Sequence, residues 1–236
     1  MSTFTLPPHN PRIRQVGSFQ ELVTTPWANG VNALCWPRIL PGDFGEIVAQ
    51  LRLGPGITTL DEVMLKEMPV SAEGRLAIEA MLADLRLLRD HGLDPALNGI
   101  DGYPRDEHAG PVPTDVFSYH ADSAPVPADT WLCTYHGASS EVLGNEEVQR
   151  CVDIPGTRAE LLREFGGKEG AGFDEFLHEH CYDLHYVPVA GAQPIAFGLS
   201  NLWRISLEHP GCPVPPCVHR APYTRPGDPP RLLLIS

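Results

Sequence analysis

From about Pro111 onward the chain is cut by turns into short β-rich runs, and this punctuation limits what it can fold into more than any other feature. The runs span 115–122, 130–135, 150–154, 184–189, 194–198, 202–207 and 231–236, with two short helices predicted at roughly 156–166 and 172–180. Strands at irregular spacing with many turns predict a sandwich or jelly roll in an α+β chain, because a βαβ fold would need a helix after each strand. The 25 prolines and 22 glycines stop longer elements from forming, while an apolar content of 42% still suits a folded core. A chain of 236 residues buries enough surface to fold without disulfides or metal.

Ahead of that region the pattern is mainly helical. Residues 1–17 are polar and broken by Pro7, Pro8 and Pro11, which predicts an extended arm. Ser18 with Glu21 three residues later reads as a capping box opening a short helix, and Val31–Trp36 reads as a buried strand stopped by Pro37. Asp43–Arg52 carries Phe44, Ile47, Val48 and Leu51 on one helical stripe. Ser71 opens the longest helix, Ala72 to His91, with Leu76, Met81, Leu85 and Leu88 at helical spacing before Gly92 ends it. These stripes are packing faces. The expected organisation is a single domain, 1–236, with the helices of 18–110 outside a β-rich core at 111–236.

With 30 acidic against 17 basic residues, the formal charge of −13 repels phosphate backbones and anionic membranes, so neither nucleic acid nor membrane is expected as a partner. The N-terminal sequence has no apolar signal region, and no run approaches the roughly 18 apolar residues of a membrane span, which predicts a cytoplasmic protein. Six dispersed cysteines suit reduced thiols in that compartment, with Cys212 and Cys217 the nearest pair in sequence. Only Lys66 and Lys168 are lysines, so the positive charge is almost all arginine. Arg220, Arg225 and Arg231 cluster near the C-terminus beside one acid, Asp228, which suits ordinary surface ion pairs first and an anionic small ligand second.

The chemistry is concentrated in Asp115–Asp122. On an extended strand, Val116, Ser118, His120 and Asp122 share one face and Phe117, Tyr119 and Ala121 the other, so an imidazole and a carboxylate become neighbours. His219, in a proline-braced segment before the last strand, is the third candidate. Two histidines and a carboxylate with open positions form the facial triad of a non-haem Fe(II) site. Three letters of His-x-Asp are a weak signal, and other constellations compete. His178, His180, Cys181 and His185 form the densest run of potential ligands, yet no two of these histidines have helical zinc-site spacing, and Cys212…Cys217 lacks a second Cys pair. There is no Gly-x-Ser-x-Gly elbow, and the glycine-rich Gly166–Gly172 lacks the hydroxyl and spacing of a phosphate loop. Tyr119, Trp131 and Tyr135 are candidates for either pocket wall or core.

The last two-thirds of the chain, with Phe19–Leu51 ahead of it, resembles a family of uncharacterised proteins similar to distant jelly-roll Fe(II)/2-oxoglutarate oxygenases. The shared pattern is Val31-Asn-Ala-Leu-Cys-Trp-Pro-Arg38, His120-x-Asp122, Leu132-Cys-Thr-Tyr-x-Gly137, Phe197-Gly198, His219-Arg-Ala-Pro222 and Arg231-Leu-Leu-Leu. The resemblance implies a double-stranded β-helix (cupin-like) core. It also implies Fe(II) on His120, Asp122 and His219 as the catalytic centre, and a basic residue for the 2-oxoglutarate carboxylate, with Arg231 first and Arg220 and Arg225 as rivals. The substrates would be dioxygen and a small molecule such as an amino acid or specialised metabolite. A cupin-like iron enzyme that binds substrate without 2-oxoglutarate, and a non-catalytic metal-binding protein, remain open. Where relatives continue Tyr-x-Gly with Pro-Gly-Thr-Glu, this chain has Tyr135-His-Gly-Ala-Ser-Ser-Glu141, a loop suited to changing substrate choice.

Overall fold

A computed structural model describes residues 10–105, 110–225 and 227–236. The first part of the chain forms β1 (Ile13–Gln15), α1 (Phe19–Thr24), β2 (Ala33–Trp36), α2 (Phe44–Gln50), β3 (Gly56–Thr59), α3 (Glu62–Glu67), α4 (Ala72–Asp90) and β4 (Ala96–Asp101). After it come β5 (Tyr119–His120), β6 (Asp129–His136), β7 (Glu141–Leu143), β8 (Val148–Arg150), α5 (Pro155–Phe165) and α6 (Ala171–Glu179). The chain ends with β9 (His185–Pro188), β10 (Ile195–Ala196), β11 (Leu202–Ser206), β12 (Val218–Arg220) and β13 (Arg231–Ile235).

These strands make two sheets. One has seven strands in the order β1-β2-β11-β6-β13-β4-β3, antiparallel except where β1 joins β2, and the other has six antiparallel strands in the order β10-β7-β12-β5-β9-β8. The architecture is α+β. Pleat alternation assigns the seven-stranded sheet two different faces. Leu232 and Leu234 of β13, with Trp131, Cys133 and Tyr135 of β6, pack on Leu22, Ile47, Leu65 and the α4 stripe. Leu233 and Leu132, one residue out of phase, pack with Val142, Phe197 and Trp203 between the sheets. Burying each such leucine stabilises the fold by about 1.5–3 kcal/mol. Tyr119, Trp131 and Tyr135 are therefore core residues turned away from the space between the sheets.

Local sequence explains the helices. Ser18 and Ser71 accept N–H groups of Glu21 and Gly74 at their helix starts, and Asp43 caps α2 with two such bonds. Glu21 turns back to Gly17 N–H, one residue earlier than a capping box would place it. On α4 the buried stripe is Ala77, Ile78, Met81, Leu82, Leu85 and Leu88, and Leu76 lies outside it.

Four expectations are corrected. The N-terminal part carries more strands than the one expected at Val31–Trp36, which forms as β2, because β4 pairs with both β13 and β3. Its Asn98-Gly99 carries little strand propensity, and Gly99 is bare because Leu53 lies where a side chain would go. The strand expected at 115–122 begins only at Tyr119, since Asp115 accepts the N–H groups of Phe117 and Ser118 and closes a turn. The run at 150–154 is mostly a 3-10 turn, Cys151–Asp153, after β8. His219 sits on a short strand, β12, rather than in a loop. Of the expected arm, residues 1–9 lie outside the described residues, while Ile13–Gln15 pairs with β2.

Candidate metal centre

Two backbone carbonyls set up the site. Ser118 O accepts from His120 Nδ1 at 2.8 Å and Cys217 O accepts from His219 Nδ1 at 3.3 Å, so each ring is steered by the residue two before it. Both Nε2 lone pairs are left for a ligand. The β12–β5 register puts His219 directly opposite His120, with ring centroids 4.7 Å apart. Asp122 follows β5, its backbone carbonyl held by Glu208 N–H at 2.7 Å and its Oδ2 by the Thr130 hydroxyl at 2.7 Å.

The result is a compact donor set. Asp122 Oδ1 lies 3.8 Å from His120 Nε2 and Oδ2 lies 3.7 Å from His219 Nε2, and one donor atom from each residue falls within 4.8 Å of the others. Bonds of ~2.1 Å at right angles put neighbouring donors about 3 Å apart, so the three donors would close by up to about 2 Å to hold a first-row divalent ion. Protonation states agree. Burial, followed by the neighbouring His219, pushes His120 down to about 4. Burial alone would raise Asp122, but His219, the Thr130 hydroxyl and His120 together hold its carboxyl below the ordinary value. A neutral imidazole and an ionised carboxylate are the forms that bind metal.

The three residues open onto a cavity of about 240 Å³ between the sheets. Its walls are mainly apolar, with Ile100, Leu132, Ala221 and Leu233 inside and the partly exposed Ile57, Val116 and Ile235 at the mouth. Asn98, Ser140 and Tyr103 add polar groups.

Arg231 stands behind Ser140 and Tyr103. It is 1% exposed, donates from Nη1 to Tyr103 Oη at 2.6 Å and from Nη2 to Ser140 Oγ at 3.2 Å, and leaves Nε without a partner. Among the described residues no carboxylate pairs with it, and burial pushes its pKa below the ordinary arginine value. Gly137, at φ +79°, lets β6 approach this strand, since a Cβ there would lie 2.9 Å from Pro230 O and 3.1 Å from Arg231 Cα. The other arginines go elsewhere. Arg220, alternating with His219 along β12, is ion-paired with Glu141 and lies over Tyr119 and Tyr223. Arg225 is exposed in a turn closed by Asp228.

The rival cluster is dispersed. His178 and His180 are exposed and bonded to Asp183 and to Phe176 O, and Cys181 is exposed, whereas His185 is buried in β9. Among the described residues the only group of three metal-binding side chains is His120, Asp122 and His219. All six cysteines are free thiols. His185 was missed as a neighbour of the centre: β9 pairs it with His120, rings 5.7 Å apart, and its Nδ1 meets Ser118 Oγ at 3.0 Å. Nothing in its spacing from His120 signals this, because the pairing is decided by sheet register.

No protein family, curated protein or solved structure matches this chain. Among the described residues no helix is long and apolar enough to cross a membrane.

Proposed function

We propose that this protein is a non-haem Fe(II)/2-oxoglutarate-dependent oxygenase that oxidises a small molecule. The observation that carries the reading is Arg231, a buried guanidinium with an unpartnered Nε and no counter-ion, behind the wall of the cavity that holds the three metal ligands. A triad alone suits many metalloenzymes. A buried cation awaiting an anion beside a triad suits a dicarboxylate that chelates the metal at one end and is held at the other. The strand order supports a double-stranded β-helix core, because from β4 onward most steps cross between the sheets. Strands β4, β13, β6 and β11 are contiguous in one sheet, as are β5, β12, β7 and β10 in the other.

When bound, iron and the 2-oxo acid supply the activation of dioxygen toward a C–H bond. The chain's part is geometric and electrostatic. His120, Asp122 and His219 would hold the ion, and Thr130 keeps Asp122 aimed. Arg231 neutralises a carboxylate whose unpaired burial would cost several kcal/mol. Apolar walls exclude water from the reacting centre.

The test is an anaerobic titration of the Fe(II) protein with 2-oxoglutarate, read by charge-transfer absorbance. One iron per chain and a visible band are expected. Asp122→Ala should lose tight stoichiometric iron, and Arg231→Leu should keep iron but weaken 2-oxoglutarate by about ten- to a hundredfold. No band in the wild type would favour a cupin-like enzyme whose substrate binds iron directly. Tight stoichiometric iron in both His120→Ala and Asp122→Ala would remove the triad itself.

A further inference from the structure

We infer that a second cavity, on the surface side of Tyr103, binds the carboxylate of the substrate and directs an apolar body toward the metal centre. The cavity holds about 250 Å³ and shares Ile100 and Tyr103 with the metal-site cavity, so one wall separates the two. Two arginines from different loops meet in it, Arg105 after β4 and Arg225 before β13, with Thr224 beside them.

Arg105 is pre-positioned. Its guanidinium carbon lies 4.5 Å from the Phe117 ring centre and 6.0 Å from that of Tyr223, and those two rings stack with planes 2° apart. A guanidinium held against an aromatic pair loses less freedom when it receives an anion than a free side chain would. Two aspartates also line the cavity, and neither neutralises this pair. The Asp228 carboxylate accepts the backbone N–H of Arg225 at 2.7 Å and closes a turn. Among the described residues no carboxylate, Asp101 included, comes within ion-pair distance of the Arg105 or Arg225 side chains. The two guanidiniums and two carboxylates that line the cavity balance formally, and the guanidiniums are left without an ion pair among the described residues. A carboxylate matches a guanidinium fork. The apolar walls beyond Tyr103 then suit a body without charge, so the ligand class is a small carboxylic acid with an aliphatic or aromatic portion.

The direction of the body rests on the metal reading above, and the carboxylate site does not, so the experiment uses metal-free full-length protein. Arginine Nε–H and backbone NMR signals are followed during titration with hexanoate, acetate, hexanol and inorganic phosphate. Hexanoate should move the Arg105 and Arg225 signals and bind at least about tenfold more tightly than acetate, since four methylenes enter an apolar wall. Hexanol should leave both arginine signals in place. The double variant Arg105→Gln/Arg225→Gln should weaken hexanoate by about tenfold or more, and Arg105→Lys/Arg225→Lys should recover part of the loss. Both arginines are on exposed loops, so these variants keep the fold. Unchanged hexanoate affinity in the glutamine variant, or shifts confined to Arg231, would overturn the inference. Acetate or phosphate binding as tightly as hexanoate would overturn the apolar body. If iron fails to bind the triad but hexanoate still depends on Arg105 and Arg225, only the metal reading falls.

Discussion

Two buried arginines on opposite faces of the seven-stranded sheet have opposite surroundings. On the helix side, Arg38 forks onto Asp84 with bonds of 2.6 and 2.8 Å, donates from Nε to Ser200 O at 3.0 Å and lies 4.8 Å over Trp36. Tyr135 adds a third bond to Asp84 at 2.7 Å. On the inner side, among the described residues Arg231 meets hydroxyls and the Tyr103 ring but no carboxylate, and its Nε has no hydrogen-bond partner. Burial lowers the pKa of both. For Arg38 the Asp84 hydrogen bonds outweigh burial and lift it, and for Arg231 nothing does. A satisfied buried ion pair joins α4 to the β2–α2 connection and has no need of a ligand. An unsatisfied one stores free energy that an incoming anion releases.

The same substitution at the two sites should therefore have opposite signs. Arg38→Leu strands Asp84 in the core and should destabilise the metal-free protein by about 3–5 kcal/mol in denaturant unfolding. Arg231→Leu removes an uncompensated charge and should leave the stability of the metal-free protein unchanged or raise it by about 1–2 kcal/mol. A comparable loss of stability in both variants would erase the distinction and make Arg231 a structural residue.

A smaller effect comes from the histidine row. Burial pushes both His120 and His185 from an ordinary 6.5 down to about 4, so between those values the unfolded chain binds protons that the folded chain does not. Metal-free stability should be fully present above about pH 6.5 and decline as the pH falls toward 4, by on the order of 3 kcal/mol for each histidine. His185→Phe should flatten part of that decline, and an unaltered pH profile in the variant would show that His185 is already protonated in the fold.

Much of this was legible in one dimension. The caps at Ser18, Asp43 and Ser71, the α4 stripe, helices α5 and α6, and the alternation that puts Arg231, Leu233 and Ile235 on one face are all local, because capping and periodicity act within a few residues. The three metal-binding candidates were also named, His120 and Asp122 by residue type and strand position, and His219 from a proline-braced segment and the family resemblance. Other facts needed the folded sheets. Cross-strand register alone sets His219 against His120 and brings His185 alongside, and pleat phase alone turns Trp131 and Tyr135 to the helices while Leu132 faces the cavity. Strand β4 stayed hidden because Asn98 and Gly99 have low strand propensity, with Asn98 bonded to Thr59 and Leu53 lying where a Gly99 side chain would go. The state of Arg231 is not local either, since pairing or its absence depends on which side chains arrive from residues 103, 134 and 140. Sequence determines which groups a short segment offers. Only long-range packing decides which of them are paired, and an unpaired one marks where a ligand belongs.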